Sequence, residues 1–301
     1  MAVGIFHSPW WLDTVAPGAW REASVCEGGV TRARWPYVVQ RQRGLTRLTA
    51  PPLTPRLGPL IESGETKLSK RLGQHKELLF TLVDQLPTHD QFLQNLHPEL
   101  EYWLPLSWRG FTQTTLYSYT LEDLSDLDTI RSGFSKGVRS DINKAGRSLT
   151  VRRNQGTSDL YDALATTLLA TRKRMPFSSE MLQRTYQACL ERNQGQIFSA
   201  HDKAGQFVAG LFLVWDEQTA YYLLAGAKQE ARGTGAQSLL LWEAIQFAAT
   251  VARQFDFEGS QIASIEQFFR GFGGRPVPYS HVERRSRRMN ALLSLRDLRH
   301  G

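Results

Sequence analysis

The sequence predicts a mixed α/β fold in two lobes, and three observations carry that expectation. Strand-like runs alternate with helical stripes through the second half of the chain. Three of those runs, residues 196–201, 207–216 and 220–225, meet through tight turns at Lys203-Ala-Gly205 and Glu217-Gln218, so they are antiparallel neighbours. A length of 301 residues suits two units of roughly 150 each, divided here as 1–120 and 121–301. Hydrophobic residues at 41% and charged residues at 22% exclude a fibrous or mainly disordered chain.

In the first lobe, Trp10, Trp11 and Trp20 mark an aromatic opening. Residues 21–26 and 33–40 read as strands joined at Glu27-Gly28-Gly29, a hairpin turn. Residues 50–60 contain four prolines and a glycine and must be irregular. Leu68, Leu72, Leu79, Leu82, Val83 and Leu86 form a helical stripe over 66–86. The Thr- and Tyr-rich alternation of 111–120 is a strand.

The second lobe opens with a helical stretch, 124–145, interrupted by Gly133 and Gly137, then a short strand at 149–153. Two helices follow, 157–174 and 178–192, with Ser158 and Ser179 in N-cap positions. After the three-strand block, residues 237–253 form a helix apolar almost all round, which requires packing on more than one side. A buried strand at 255–258, a helix at 262–271 and a strand at 277–284 complete the lobe.

No apolar run approaches the ~20 residues of a membrane helix, and the start lacks a cationic and an apolar export region. Two cysteines, Cys26 and Cys189, form no disulfide framework, and a reduced, cytoplasmic protein is expected. The net charge is +7, with 28 Arg against 8 Lys. Seven basic residues lie between Arg131 and Arg153 against the single acid Asp141, and six arginines follow Val282. A G+C-rich genome accounts for Arg in place of Lys; a phosphorylated cofactor, RNA or an anionic membrane surface fits the excess equally.

Three segments carry candidate chemistry. Gly233-Thr234-Gly235-Ala236 leads into a helix, where free backbone N–H groups and the positive helix end suit an anion, and Arg232 adds a guanidinium; a plain turn is the alternative. In Phe255-Asp256-Phe257-Glu258-Gly259-Ser260 the strand alternation puts the two phenylalanines on one face and the two carboxylates on the other. Such acids either pair with arginines or handle the proton of an amine. In Phe268-Phe-Arg-Gly-Phe-Gly-Gly-Arg-Pro-Val-Pro-Tyr279, Gly273-Gly274 reads as a helix C-cap. Arg270 and Arg275 are anion candidates, and Tyr279 is a proton donor or a packing residue. The seven histidines show no metal-ligand spacing, no Gly-x-Ser-x-Gly elbow occurs, and Cys189 reads as core. No metal and no covalent nucleophile is expected. Direct transfer between two bound substrates remains.

Lys136-Gly-Val-Arg-Ser-Asp-Ile-Asn-Lys-Ala145, the block ending at Tyr222–Gly226, Gly235-Ala-Gln-Ser-Leu-Leu-Leu-Trp, Phe255–Ser260 and Phe268–Gly274 with Tyr279 together resemble the FemAB-like branch of the GNAT acyltransferases, which includes the Fem aminoacyltransferases of peptidoglycan synthesis. The likeness covers about 121–290, and Ser8-Pro-Trp-Trp-Leu12 looks like the family's opening. It implies two GNAT-like lobes with a cleft between them and transfer of an acyl group to an amine. Donor phosphates, those of an acyl-CoA, are then expected at Arg232–Ala236, and an oxyanion at backbone N–H groups around Tyr222–Ala225. Glu258 or Asp256 orients the amine, and Tyr279 or Tyr222 serves the leaving group. Arg139 and Lys144, with Ser260 and Arg270, are the expected contacts of a small-molecule or lipid-linked amine acceptor. Glu230 stands where the family's phosphate loop has Arg or Gln.

Two rival expectations keep the fold. One replaces the donor by aminoacyl-tRNA feeding a cell-wall precursor. The other is a catalytically silent binding protein held at the membrane surface, peripherally, by the basic segment 284–296, whose Met289, Leu292, Leu293 and Leu295 form an apolar side.

Overall fold

The computed structural model describes residues 4–170, 173–231, 233–259 and 261–297, excepting the side chains of 170 and 295–297. The chain forms two compact units, one comprising Met1–Leu116 with Pro278–Gly301 and the other Tyr117–Val277. The last strand and helix therefore belong to the first unit, not to the second as a linear division at 120/121 has it. The reason is pairing: His281–Arg285 form an antiparallel ladder with Gln91–Asn95.

In the first unit a 3₁₀ turn (Ile5–His7) precedes α1 (Pro9–Val15), whose proline takes a first-turn position and whose Trp11 and Leu12 are fully buried. β1 (Trp20–Glu27) and β2 (Val30–Gln42) form the expected hairpin, with Gly28 and Gly29 both at positive φ, as a two-residue turn demands. β3 (Leu45–Thr49) and the short β4 (Leu60–Ile61) flank the proline-rich segment; β4 pairs with β2. α2 (Leu68–Asp84) buries Leu78, Leu79, Leu82 and Val83. β5 (Gln91–Asn95) and α3 (Leu104–Trp108) follow. The sheet order is β1-β2-β3-β5 and then β12 (Arg275–Arg285). Trp35 lies at the centre, wholly buried, against Phe92 and Phe111, and its indole N–H donates to Gln94 at 2.8 Å.

The second unit orders its strands β6-β11-β10-β9-β8-β7. These are β6 (Thr112–Leu121, shared across the boundary), β7 (Thr150–Arg153), β8 (Gly195–His201), β9 (Phe207–Trp215), β10 (Thr219–Ala227) and β11 (Gln254–Asp256). The three middle strands are antiparallel, as their tight turns require. β9 is buried on both faces. Ala209, Leu211, Leu213 and Trp215 share a core with α5 (Lys136–Ala145), α8 (Ala236–Ala248) and α9 (Ala263–Gly271). Gly210 meets Leu160 of α6 (Ser158–Ala170), and Phe212 meets Tyr186 of α7 (Ser179–Glu191), on the other face. α8 lies between the sheet and α5, which explains its lack of a polar side.

Several local expectations shift. The 124–145 stretch breaks once, between α4 (Leu127–Ser132) and α5; Gly137 lies inside α5 because Ser135 caps it through the Val138 amide. α7 is capped by Ser178, one residue before the expected Ser179, and Ser158 is the first residue of α6. Gly273, at positive φ, does terminate α9. Cys189 is buried, and burial pushes its thiol up to about 12. α10 (Arg287–Asp297) closes the chain. Its Met289 is 2% exposed and so faces protein, while Leu292 is 44% exposed; the Leu295 side chain lies outside the described residues. No helix among the described residues is long and apolar enough to cross a membrane.

Burial gives the first unit a pH-sensitive element. His7 is 1% exposed, and its Nε2 contacts the Gly58 carbonyl at 3.2 Å. Desolvation first, then the neighbouring His97, lowers its pKa to about 3. Above pH 6.5 the ring is neutral in both states. As the pH falls below that, the unfolded chain binds a proton that the folded chain refuses until about pH 3. Stability therefore declines over this window by up to ~1.4 kcal/mol per pH unit for this group. In urea titrations at pH 7.5 and 5, His7→Gln is expected to flatten the decline; an unaltered slope refutes the assignment.

Candidate active site

β10 and β11 run side by side over three residue pairs only, Thr219–Gln254, Ala220–Phe255 and Tyr221–Asp256. Past Tyr221, β10 stays paired with β9 but slips register between Tyr222 and Leu224, which makes Leu223 the extra residue of a bulge. β11 ends at Asp256. Glu258 (φ 63°) and Gly259 (φ 68°) then turn the chain aside. Among the described residues, no strand covers the edge of β10 from Tyr222 to Ala227 on the side away from β9. A bulge on an uncovered edge leaves backbone N–H groups available to a ligand.

Asp256 sets this turn. The carboxylate is 5% exposed; its Oδ1 accepts the Ser118 hydroxyl and, at 2.7 Å, the Glu258 backbone N–H. Charge-assisted bonds of this kind offset the cost of burying the acid. Phe257 N–H donates to the Tyr119 carbonyl at 2.9 Å. A Cβ at Gly259 would lie 2.1 Å from the Tyr117 carbonyl oxygen, so only glycine lets the turn pack on β6. The strand alternation expected through Glu258 thus stops at Phe257. Asp256 and Glu258 do not share a strand face, because the left-handed residue re-aims the second acid.

At the other end of β10, Gly233 (φ 71°) and Gly235 (φ 80°) make the turn into α8. Gly235 is the N-cap and supplies no side-chain acceptor; the Thr234 hydroxyl accepts the Ala236 amide at 3.2 Å, and the next amides of α8 have no acceptor within the helix. Lys144 at the end of α5 donates to the Gly233 carbonyl at 2.7 Å. Gln237 Nε2 donates to the Gly226 carbonyl at 3.0 Å, fastening the turn to β10. Glu230 sits in the short 3₁₀ turn Gln229–Ala231 just before it.

The remaining expected residues scatter. Arg139 donates to the carbonyls of Ser132 and Phe134 and so closes the end of α4, while Lys144 reaches the Gly233 carbonyl. Arg270 pairs with Glu266 at 2.9 Å. Tyr222 is half-buried, edge-on to Phe269, and burial raises its phenol above the ordinary value. Tyr279 belongs to the first unit, where the Arg56 guanidinium lies 5.5 Å from its ring centroid. Arg232 and Ser260 lie outside the described residues. Sequence reasoning missed Tyr117, Tyr119 and Glu266, which share a depression of about 460 Å³. The signal was present: Tyr117 and Tyr119, two apart on a strand, must share a face.

Residues 132–268, spanning both ends of β10 and the Asp256 turn, match the model of the acetyltransferase (GNAT) domain. Over these residues the chain is similar to a GNAT domain. Its fold is similar over 90% of both chains to the crystal structure of FemX, at 13% identity and a TM-score of 0.65. It is also similar to the C-terminal domain of a putative lysylphosphatidylglycerol synthetase from Agrobacterium fabrum, at 14% identity and a TM-score of 0.58 over 95% of this chain and 90% of that one. A tandem GNAT protein from the clavulanic acid pathway matches at 10% identity and 0.55, covering 91% of this chain and 85% of the other. No curated protein matches the chain by sequence.

Within the matched residues, Gly235 is the least replaceable residue of the turn. A Cβ there would stand 2.4 Å from the Asp141 carbonyl oxygen, and the backbone is left-handed as well. Gly235→Ala is expected to cost about 1–3 kcal/mol in urea unfolding. A loss below about 0.5 kcal/mol contradicts this packing.

Proposed function

We propose that the protein moves an acyl group from a coenzyme A-type thioester directly to the amine of a cell-envelope or polysaccharide precursor. The observation that supports this reading best is the uncovered, bulged edge of β10, with the Gly233–Gly235 turn at one end and the Asp256–Gly259 turn at the other. A donor laid along that edge has its phosphates toward the α8 amides and Lys144, and its carbonyl toward the bulge. The glycine turn and the lysine suit such a diphosphate. FemX and a lysylphosphatidylglycerol synthetase as fold neighbours support an envelope acceptor.

In the reaction the amine nitrogen attacks the thioester carbon, forming C–N and breaking C–S. Bulge N–H groups hold the negative oxygen in the transition state. Glu258 accepts the amine proton. Tyr222, whose burial keeps its phenol protonated, supplies a proton to the departing sulfur. Asp256 acts through Glu258: it holds the turn that aims it. Alignment of two bound substrates provides much of the acceleration.

One feature favours a second donor. Glu230, next to the turn, opposes a diphosphate and gives weight to aminoacyl-tRNA, whose binding depends on a dispersed positive surface. Calorimetric titration with coenzyme A, and RNA binding measured from low to moderate salt, separate the two. Saturable coenzyme A binding supports the first reading; RNA binding that falls steeply with salt, without coenzyme A binding, replaces it with the second. With the donor so identified, Glu258→Gln is expected to lower turnover by about 10²–10⁴ with little change in donor KM. Unchanged turnover in a folded variant removes Glu258 from the mechanism.

A further inference from the structure

The depression between β6 and α9 is lined by Tyr117, Tyr119, Gln261, Ala263, Glu266 and Pro276. At about 460 Å³ it falls within the range of small-ligand sites. Two aromatic rings and a proline form its walls, and Ile262 and Ile265, 52% and 38% exposed, continue the apolar surface along the first turn of α9. Among its lining residues the single charged group is the Glu266 carboxylate. That carboxylate accepts the Tyr119 hydroxyl at 2.7 Å and Arg270 Nε at 2.9 Å. These two bonds, the tyrosine's first, hold its pKa below the ordinary value, so it is ionised at neutral pH. Arg270 is 63% exposed and is therefore a weak, replaceable partner.

We propose that this depression seats the acceptor, and that the acceptor arrives as an ammonium group on an apolar body. The assignment rests on the acyl-transfer reading above and names the acceptor's chemistry. A cation is favoured by the carboxylate and by the two tyrosine rings among the lining residues. A phosphate or carboxylate would meet Glu266 with no cation among the lining residues. The place is apt as well. Gly259 packs on the Tyr117 carbonyl and Phe257 N–H bonds the Tyr119 carbonyl, so the strand that walls the depression also holds the Glu258 turn. An ammonium that gives its first proton to solvent water on leaving Glu266 therefore starts, as the neutral amine, next to that turn, where Glu258 accepts the second proton on attack.

The test needs no acyl donor. The full chain is titrated calorimetrically at pH 7.5 with n-hexylamine, 1-hexanol and hexanoate. Hexylamine is expected to bind saturably and at least tenfold more tightly than either analogue. Glu266→Gln should weaken it tenfold or more and Tyr119→Phe severalfold. Arg270→Ala should tighten it, because the competing cation is gone; a merely structural role for the pair predicts the reverse. Absence of hexylamine binding to the wild-type chain, equal binding of hexanol, preference for hexanoate, or indifference to Glu266→Gln overturns the proposal. Failure of the donor reading is recorded separately, in the coenzyme A titration, and leaves the amine result intact.

Discussion

The carboxylate of Asp256, buried and closed by the Ser118 hydroxyl and the Glu258 N–H, is the contact on which the rest of the site depends. A strand that continued past this point would keep pairing with β10 and would cover the edge that the described residues leave open from Tyr222 to Ala227. By bonding the amide two residues ahead, the carboxylate converts extended chain into a turn. The left-handed residues at 258 and 259 follow from that, and Gly259 can then lie flush on β6. Burial of an acid is costly in isolation, and this one is retained where it stops a strand.

The opposite end of β10 is built by a different balance. Gly235 brings the α8 N-terminus against the Asp141 carbonyl with no room for a side chain, and Lys144 reaches back over the same junction to Gly233. Two helices, one glycine and one ammonium thus define a positive terminus whose position is fixed by backbone packing. Glu230 reduces that positive potential without altering its geometry. Under the function proposed above, donor selection is accordingly an electrostatic question at this turn and not a question of shape.

The strands that build this arrangement are plain in the sequence because their signals are local. Gly28-Gly29 turns a hairpin, Lys203-Ala-Gly205 and Glu217-Gln218 make neighbours antiparallel, and a helix apolar almost all round at 237–253 has to be enclosed. The glycine turn and the acidic segment after Phe255 are legible for the same reason. What is not legible depends on contacts far apart in the chain. Strand β5 owes its place to β3 and β12, which no local period reveals. Arg139 and Lys144 look like a pair by spacing, yet each is taken by a different carbonyl group. Tyr119 and Glu266 are 147 residues apart and meet only because α9 folds back over β6.

The faces of the sheet separate the roles open to the two acids under the proposed function. In parallel pairing Asp256 stands beside Tyr221, so the two share a face, whereas Tyr222 points to the other, against Phe269 and with Phe257. Asp256 therefore cannot serve a reaction at Tyr222 without passing through the sheet. Glu258 escapes this restriction because it follows the end of the strand and its positive φ cancels the alternation. Under the proposed function, the acid that folds the turn and the acid that acts from it are for this reason two residues: one fixed within the ladder, the other released from it.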